Sequence, residues 1–369
     1  ELNIANVIQE KLNGYETIPG GSETIISQIG EENSAEITQI SASYNYGEIN
    51  QFGNRNSGVI AQGDGEWYNS SNQAKIFQYG NDNYGYINEG DLGNIAEIIQ
   101  KGNSNKAILE MYNAIIHPAS NYGYIYQEGN KNYAKQFMGD AGVDGKIEQK
   151  GNYNIATQGL SASPNINGAY GEIKQYQNNA EAYQSVSALE GYGYINQTSS
   201  NPAASNYNKQ IVYSGASAIA NVYGDDNYGY QKVGSTYSFS VIEERGNNNS
   251  TTTLLAETCF TNILTAEGSS FNIVMIDQTL GSIWSSYGHS ASIYIDGSYN
   301  NAAILQVGEI NNAAKTGSYG IEITGDYNIA EIYQNGKYNT ADLHLFGDNI
   351  ETNIEQVGNN MTTSITQEN

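Results

Sequence analysis

Glutamine returns at a regular spacing along this chain, and its side-chain amide can both donate and accept hydrogen bonds. The next Gln, or its substitute, often lies about 11 residues further on, as at Gln28 and Gln39 or at Gln78, Glu89 and Gln100. Stacked amides form ladders in which each bonds to the copies above and below, so buried polar groups are satisfied by repetition. These residues therefore predict mutual hydrogen bonding and assembly. The predicted ladder and assembly residues are Asn3, Ala5, Val7, Gln9, Gln28, Gln39, Gln51, Gln62, Gln78, Gln100, Gln127, Gln149, Gln175, Gln197, Gln306, Gln334, Gln356, Ile365 and Gln367.

No catalytic or metal-ligating constellation stands out in the sequence. The three histidines, His117, His289 and His344, lie far apart, and none has Cys, Asp or Glu at the spacing of a metal site. Neither a Gly-x-Ser-x-Gly elbow nor a phosphate-binding loop is evident. We therefore expect a protein that is not an enzyme, with no cofactor and no metal. A carboxylate pair on a solenoid face, as in polysaccharide enzymes with longer, three-sided coils, is the alternative left open.

The glutamines belong to a longer frame, Asn-x-[Ala/Gly]-x-[Ile/Val/Leu]-x-Gln-x-Gly, which recurs from Asn3 to Gln367. Its four frame residues before the Gly lie two apart, and residues two apart share one face of a β-strand. Connectors such as Gln78-Tyr-Gly-Asn-Asp-Asn83 are typical of tight reversals, because Gly and Asn tolerate positive φ. Two strands and two turns make a rung of about 22 residues. The sequence predicts an all-β, two-sheet β-solenoid of stacked rungs with amyloid-like cross-β order.

The repeats predict one elongated domain over residues 1–369. Within it we expect an N-terminal strand at 1–9 that could be donated to a neighbour, a linker at 10–21, regular repeats at 22–200 and 290–369, and degenerate repeats at 201–289. Extra residues enter at 63–72, 112–121, 161–169 and 198–207. The first three insertions are four strands apart, which places them along one edge. That edge is either a binding surface or a row of tolerated loops.

The frame resembles the curlin repeat of curli fibre subunits. Two stretches carry the likeness: Ile76-Phe-Gln78-Tyr-Gly80-Asn-Asp-Asn83-Tyr-Gly85 and Ile98-Ile-Gln100-Lys-Gly102-Asn-Ser-Asn105-Lys-Ala107. In both, Asn follows Gln by about five residues and Ala or Gly comes two later. The match is good over 22–200 and 290–367 and poor over 201–289. The resemblance implies a secreted subunit that polymerises into amyloid fibres of a biofilm matrix and adheres to surfaces, with a nucleator or secretion machinery as possible partners. The chain is longer and richer in Tyr than a usual curli subunit.

Composition is consistent with an extracellular structural protein. The formal net charge of −24 makes nucleic acid and anionic membranes poor partners. The outward acidic rows serve solubility or bind divalent cations loosely. No apolar run is long enough to insert into a membrane, and a start at Glu1 without Met fits a mature secreted product. The 31 tyrosines either cover the sheet exterior or form aromatic stripes for lateral contacts or carbohydrate binding.

Motif residues begin at Asn3 and run to Gln367, so we expect end strands without caps that recruit further copies. The predicted function is a structural subunit that assembles head to tail into extracellular fibres, with itself as main partner. The alternative is a monomeric β-solenoid that acts as an adhesin or as a surface- or carbohydrate-binding rod.

Overall fold

The computed structural model describes residues 2–10, 21–40, 44–63, 71–90, 93–112, 120–139, 142–162, 169–188, 191–199, 201–213, 216–234, 238–255, 259–266, 269–280, 289–309 and 320–367. Over these residues every regular element is a β-strand, and each strand pairs in parallel. The chain forms two compact units, Glu1–Glu190 and Gly191–Asn369. Each unit consists of two facing parallel sheets, so the predicted all-β, two-sheet solenoid is confirmed.

In the first unit, odd-numbered strands form one sheet and even-numbered strands form the other. Consecutive strands therefore alternate between the sheets, as a coil of two-strand rungs requires. The strands are β1 Ile4–Glu10, β2 Glu23–Ile29, β3 Ser34–Ile40, β4 Tyr46–Phe52, β5 Ser57–Gln62, β6 Gln73–Tyr79, β7 Tyr84–Glu89, β8 Ile95–Lys101, β9 Lys106–Tyr112, β10 Tyr122–Glu128, β11 Tyr133–Gly139, β12 Val143–Lys150, β13 Ile155–Ala162, β14 Ala169–Tyr176 and β15 Glu181–Ala188.

The second unit repeats this alternation, including the part of the chain where the sequence frame is weak. Strands β17 to β23 fall within the degenerate segment 201–289. The strands are β16 Tyr192–Thr198, β17 Tyr207–Val212, β18 Ser217–Tyr223, β19 Tyr228–Val233, β20 Phe239–Arg245, β21 Ser250–Leu255, β22 Phe260–Thr265, β23 Ile273–Leu280, β24 Ser290–Asp296, β25 Asn301–Glu309, β26 Ile321–Thr324, β27 Ile329–Lys337, β28 Thr340–His344, β29 Glu351–Asn359 and β30 Thr362–Thr366.

The core between the sheets is built from the small, aliphatic and amide positions of the frame. Ile76, Ile98 and Ile125 are fully buried, and each such side chain contributes about 1.5–3 kcal/mol on burial. The small position sets the distance between the sheets. A Cβ on Gly85 would lie 2.9 Å from Cγ2 of Ile76 on the facing sheet, so Gly at this place allows a close approach.

The tight turns follow the even-numbered strands of the first unit. Gly80 has a φ of +117°, and a Cβ there would lie 2.1 Å from the backbone oxygen of Gly102 in the next rung. The other left-handed residue of each turn is the variable one, as at Arg55 and Asp82, with φ of 56° and 57°. The predicted tight reversals are confirmed, but the Asn residues that flank Arg55 and Asp82 are not among those with positive φ. They are needed for hydrogen bonds between rungs, which leaves the left-handed conformation to the residue between them.

The longer connections follow the odd-numbered strands of the first unit. The first three predicted insertions join β5 to β6, β9 to β10 and β13 to β14, so all lie on the edge opposite the tight turns. Residues 64–70, 113–119 and 163–168 of these insertions lie outside the described residues, as do residues 11–20 of the predicted linker. The predicted strand at 1–9 corresponds to β1, Ile4–Glu10.

Candidate functional site

A continuous glutamine ladder runs along the even-numbered sheet of the first unit. Each Nε2 donates to Oε1 of the next glutamine at 2.8–2.9 Å. The partners are in register on neighbouring strands, as with Gln78 and Gln100. Every amide after the first is therefore both acceptor and donor within the core. The members are Gln28, Gln51, Gln78, Gln100, Gln127, Gln149 and Gln175.

The second hydrogen on each ladder nitrogen crosses the core to the facing sheet. Nε2 of Gln78 lies 2.9 Å from the backbone oxygen of Ser57, which is the first residue of β5. Nε2 of Gln100 lies 3.0 Å from the backbone oxygen of Tyr84, which is the first residue of β7. Because a carbonyl oxygen can only accept, this contact determines which end of the amide is nitrogen. All ladder amides therefore point in the same direction along the sheet.

The odd-numbered sheet of the first unit carries a shorter ladder that ends in a carboxyl group. Gln9 donates to Gln39, Gln39 to Gln62, and Gln62 to Oε2 of Glu89, at 2.8–2.9 Å. The next residue in register is Met111. Burial raises the pKa of Glu89 to about 8, and the hydrogen bond from Gln62 opposes that rise. The sequence spacing identifies Glu89 only as a substitute for glutamine. It does not predict that the carboxyl group is fully buried.

The second unit has its own glutamine ladder, formed by Gln278, Gln306, Gln334 and Gln356. Gln278 donates to Gln306, and the two following bonds are each 2.7 Å long. Gln278, which lies in the degenerate segment, is not among the ladder residues predicted from the sequence. It precedes Gln306 by 28 residues, and this spacing between Gln residues was the available signal.

A further ladder occupies the aliphatic position of the frame and was also missed. Gln136 on β11 donates to Gln158 on β13, which donates to Gln184 on β15, at 2.6 and 2.7 Å. In the second unit, Gln210 donates to Gln231 at 2.9 Å. The frame assigns Ile, Val or Leu to this position. The signal was the presence of glutamine there in strands two apart, where only a stacked partner could satisfy the amide.

Asparagines form parallel ladders at the strand entrances. Oδ1 of Asn56 accepts the backbone N–H of Asn83, and Nδ2 of Asn56 donates to the backbone oxygen of Gly80 at 2.7 Å. The ladder includes Asn3, whose Oδ1 accepts the backbone N–H of Asn33. These side chains thus join successive turns. The members in the first unit are Asn3, Asn33, Asn56, Asn83, Asn105, Asn132 and Asn154.

Some predicted ladder positions stack on other residue types. Gln197 is buried on β16, and its neighbour in register on β18 is Val222. Gln367 follows β30, and its Oε1 accepts a hydrogen bond from Thr352 on the facing sheet at 3.1 Å. The row of glutamines is thus interrupted at Val222, whose side chain cannot form a hydrogen bond, and at Gln367 the partner is a hydroxyl group.

The outermost described strands expose frame residues that are buried elsewhere. On β1, Ala5 and Gln9 are exposed, and the exposed fraction of Val7 is 47%, whereas Ile37 in the same row of β3 is fully buried. On β30, Ile365 is half-buried. These strands end the order of the two sheets. They therefore present apolar groups and backbone hydrogen-bonding groups at a sheet edge.

The outer faces carry rows of aromatic and basic side chains. The rings of Phe52 and Tyr79 stack with centroids 5.2 Å apart, and Nζ of Lys101 lies 5.4 Å from the ring centroid of Tyr126. Burial and a hydrogen bond to Glu128 raise the pKa of Tyr126 to about 12, so its phenol is neutral. The predicted tyrosine stripes are therefore mixed rows of rings and cations.

A groove of about 690 Å³ opens on the outer face of the even-numbered sheet in the first unit. Ile99 lines the groove, and Phe77 and Tyr126 flank Ile99 in the same row on the neighbouring strands. Glu97 and Lys101 supply one charge of each sign at its wall. The groove thus combines aromatic walls with polar groups, an arrangement common in small-molecule sites.

His344 lies between two carboxyl groups on the outer face of the second unit. Nδ1 is 3.0 Å from Oε2 of Glu322, and Nε2 is 3.1 Å from Oδ1 of Asp342. His289 is buried, and His117 lies outside the described residues. Among the residues that the structure describes, no group of three or more His, Cys, Asp or Glu is placed to hold a metal ion.

No family model matches the chain, and no curated protein is significantly similar to it. In the described ranges, the structure contains no helix of the length and apolar character needed to span a bilayer.

Proposed function

We propose that this protein is a curlin-like structural subunit that assembles head to tail into extracellular amyloid-like fibres. The observation that carries the proposal is the one-directional amide ladder of the first unit, in which each added rung satisfies the rung before it. Such a core grows by adding identical strands in register, which is how cross-β fibres propagate. The subunit is secreted and acts in a cell-surface or biofilm matrix, through self-association rather than through catalysis.

The outermost strands carry matching residue types in each sheet. Stacking β29 of one copy on β1 of the next places Ile354 on Val7 and Gln356 on Gln9. Stacking β30 on β2 in the same arrangement places Thr363 on Thr24, Ile365 on Ile26 and Gln367 on Gln28.

No pair of like charges is brought together between the described side chains of these strands. Glu351 and Glu355 of β29 fall opposite Ile4 and Ile8, and Glu23 of β2 falls opposite Thr362. Like charges directly opposite would weaken strand pairing, whereas these pairs do not. The proposed contact therefore continues the apolar and amide rows without electrostatic conflict.

Charge substitutions at the β2 edge test this contact. Ile26→Lys introduces a cation at an inward position and should block fibre growth, as followed by light scattering and electron microscopy. Ile25→Lys is the matched control, because Ile25 lies on the outer face of the same strand. Equal fibre growth by both variants would contradict head-to-tail stacking at this edge. A substitution that unfolds the protein is recognised by loss of the β-sheet circular dichroism spectrum.

The second candidate function is a monomeric adhesin or carbohydrate-binding rod. The groove over Ile99 favours it, because aromatic walls with a few charged groups suit the flat apolar faces and hydroxyl edges of sugars. If the protein stays monomeric and binds polysaccharide, Tyr126→Ala should weaken that binding, while Tyr153→Ala at a turn should not.

A further inference from the structure

Two glutamates lie in the core at positions where the frame has glutamine. Glu89 on β7 and Glu244 on β20 are both fully buried. In register, Glu89 has Gln62 on one side and Met111 on the other, and Glu244 has Val222 and Thr265. An unpaired ionised carboxylate in such a place is costly, and a buried carboxyl group usually takes up a proton instead.

One oxygen of each carboxyl group accepts a hydrogen bond and the other does not. Gln62 donates to Oε2 of Glu89 at 2.8 Å, and Thr251 donates to Oε1 of Glu244 at 2.5 Å. Oε1 of Glu89 and Oε2 of Glu244 are buried, and no described group forms a hydrogen bond with either. Each carboxyl group thus has one oxygen free to carry a proton.

The ladder geometry identifies the acceptor for that proton. Gln39 and Gln62 each donate a second hydrogen to the backbone oxygen of the first residue of the preceding strand, Glu23 and Tyr46. The equivalent residue for Glu89 is Gln73, the first residue of β6, and for Glu244 it is Tyr228, the first residue of β19. A protonated carboxyl group has one hydrogen to donate, and by analogy with Gln39 and Gln62 we expect this carbonyl to accept it.

The residue beyond Glu89 explains why an acid is suited to this position. A glutamine has two amide hydrogens, and interior ladder glutamines use one for the next glutamine and one for the facing carbonyl. Beyond Glu89 the ladder meets Met111, whose thioether is a weak acceptor. A neutral carboxylic acid can still accept the hydrogen bond from Gln62 and donate one across the core. It lacks the second hydrogen that a glutamine would direct at Met111.

We propose that Glu89 and Glu244 are neutral carboxylic acids in the folded protein, and that they form a built-in pH switch, because the fold loses stability as pH rises from acidic to weakly alkaline values. The proton is exchanged with solvent when the core opens, and no other reactant is required. The inference needs only the solenoid, so it stands whether or not the chain forms fibres.

On the described strands around Glu89, no other titratable side chain points into the core. The inward residues of β5, β6, β8 and β9 are Gly, Ala, Ile, Leu, Gln and Met. The tyrosines of β6, β7 and β9 point to the outer faces. The charged side chains of these strands also point outward: Lys75, Glu97, Lys101, Lys106 and Glu110.

The surroundings of Glu244 are similar. The inward residues of β18, β19, β21 and β22 are Ala, Val, Ile, Leu, Gly, Gln and Thr. Lys232, Glu243 and Arg245 point outward, as do the tyrosines of β18 and β19. Cys259 lies at the opposite end of β22 from Thr265, the neighbour of Glu244. Among the described neighbours, therefore, neither glutamate has a buried cation that would favour its charged form.

The direction of the pH effect follows from the two protonation states. Burial raises the pKa of both carboxyl groups from 4.5 to about 8. Between these values the folded protein holds a proton that the unfolded chain has released. Stability contributed by each group is full below about pH 4.5, falls as pH rises, and is lost above about pH 8. Within that window, the ratio of folded to unfolded protein should fall up to about tenfold per pH unit for each group.

Denaturant unfolding of the full chain between about pH 5 and 9 measures this linkage. The slope of the free energy of unfolding against pH reports how many protons are released on unfolding. Glu89→Gln should lower that number by about one, and the double variant with Glu244→Gln should lower it by about two. Glu97→Gln is the matched control, because it removes one outward charge and should keep the dependence of the parent protein. Equal pH dependence in the parent, Glu89→Gln and double variants would overturn the proposal.

Infrared spectroscopy supplies a second readout that needs no stable variant. The parent protein at about pH 7 should show the C=O stretch of protonated carboxyl groups, and this band should disappear as pH rises past about 8. The Glu97→Gln protein should show the same band. A parent protein without a protonated carboxyl band at neutral pH would contradict the assignment.

Discussion

Nε2 of Gln100 lies 2.9 Å from Oε1 of Gln127, although 27 residues separate them in the sequence. The same bond joins residues 22 apart where the intervening connection is shorter, as between Gln127 and Gln149. The rungs therefore differ in length while the amides keep one register. The difference in length falls between β9 and β10, so a repeat of variable length still gives a continuous ladder.

Replacing Gln100 by Leu should destabilise the first unit. The change leaves Oε1 of Gln127 without its donor and Nε2 of Gln78 without its acceptor, each buried in the core. We expect a loss of about 1–3 kcal/mol in the free energy of unfolding per unsatisfied group. Chemical denaturation measures the change. Lys101→Leu is the control on the adjacent outward position and should cost much less; the opposite ranking would mean that the two faces are wrongly assigned.

The turn geometry predicts opposite responses at two neighbouring residues. Gly80→Ala should destabilise the protein by more than about 3 kcal/mol, because a positive φ is combined with a Cβ that would lie 2.1 Å from the Gly102 oxygen. Asp82→Gly should leave the free energy of unfolding unchanged or raise it slightly through its effect on the backbone. Asp82 has a φ of 57°, a conformation that glycine adopts without strain.

Thermal unfolding of the two turn variants checks this prediction. Asp82 also bonds to Arg55, with both side chains exposed, and such a surface pair contributes little to stability because solvent screens it. Arg55→Ala therefore measures that contribution separately. A Gly80→Ala protein as stable as the parent would contradict the close approach of successive turns.

Register makes two deletions of different size behave differently. Removing residues 79–100 takes out one rung of about 22 residues and leaves every inward residue inward. Removing residues 95–99 from β8 reverses the face of every following residue in that strand, because side chains alternate with a period of two. The larger deletion should keep the β-sheet circular dichroism spectrum and cooperative unfolding, and the smaller one should lose both. Similar behaviour of the two proteins would be incompatible with the ladders.

Much of this architecture could be predicted from the sequence, because spacing determines which residues share a face. The place of Gln100 on the inner face followed from the frame alone. The left-handed conformation of Asp82 did not, because any residue can occupy that turn position once the flanking Asn side chains join the rungs. The ladder of Gln136, Gln158 and Gln184 was missed because an amide at an aliphatic position is explained only by its neighbours in space.

The state of Glu89 also depends on the three-dimensional surroundings. In the sequence it is one more substitute for glutamine. Its neutral form follows from full burial, the single donor Gln62 and the thioether of Met111 beyond it. Such information enters only when strands distant in sequence are adjacent.

Fibre growth should depend on charge and on the first strand. Because the chain has a net charge of −24, growth should accelerate with added salt or near the isoelectric point of about 4.3. Removing residues 1–21 distinguishes two modes of joining, as followed by light scattering. Donation of β1 to a neighbouring copy would require those residues, whereas stacking on β2 would continue without them.

Electron microscopy and X-ray diffraction of aligned assemblies of the intact protein test the central claim most directly. The account predicts unbranched fibres with a reflection near 4.7–4.8 Å along the fibre axis, because the strands of every subunit lie across that axis. A protein that stays monomeric at all salt concentrations and at about pH 4–5, or fibres without this axial reflection, would contradict head-to-tail stacking of the solenoid.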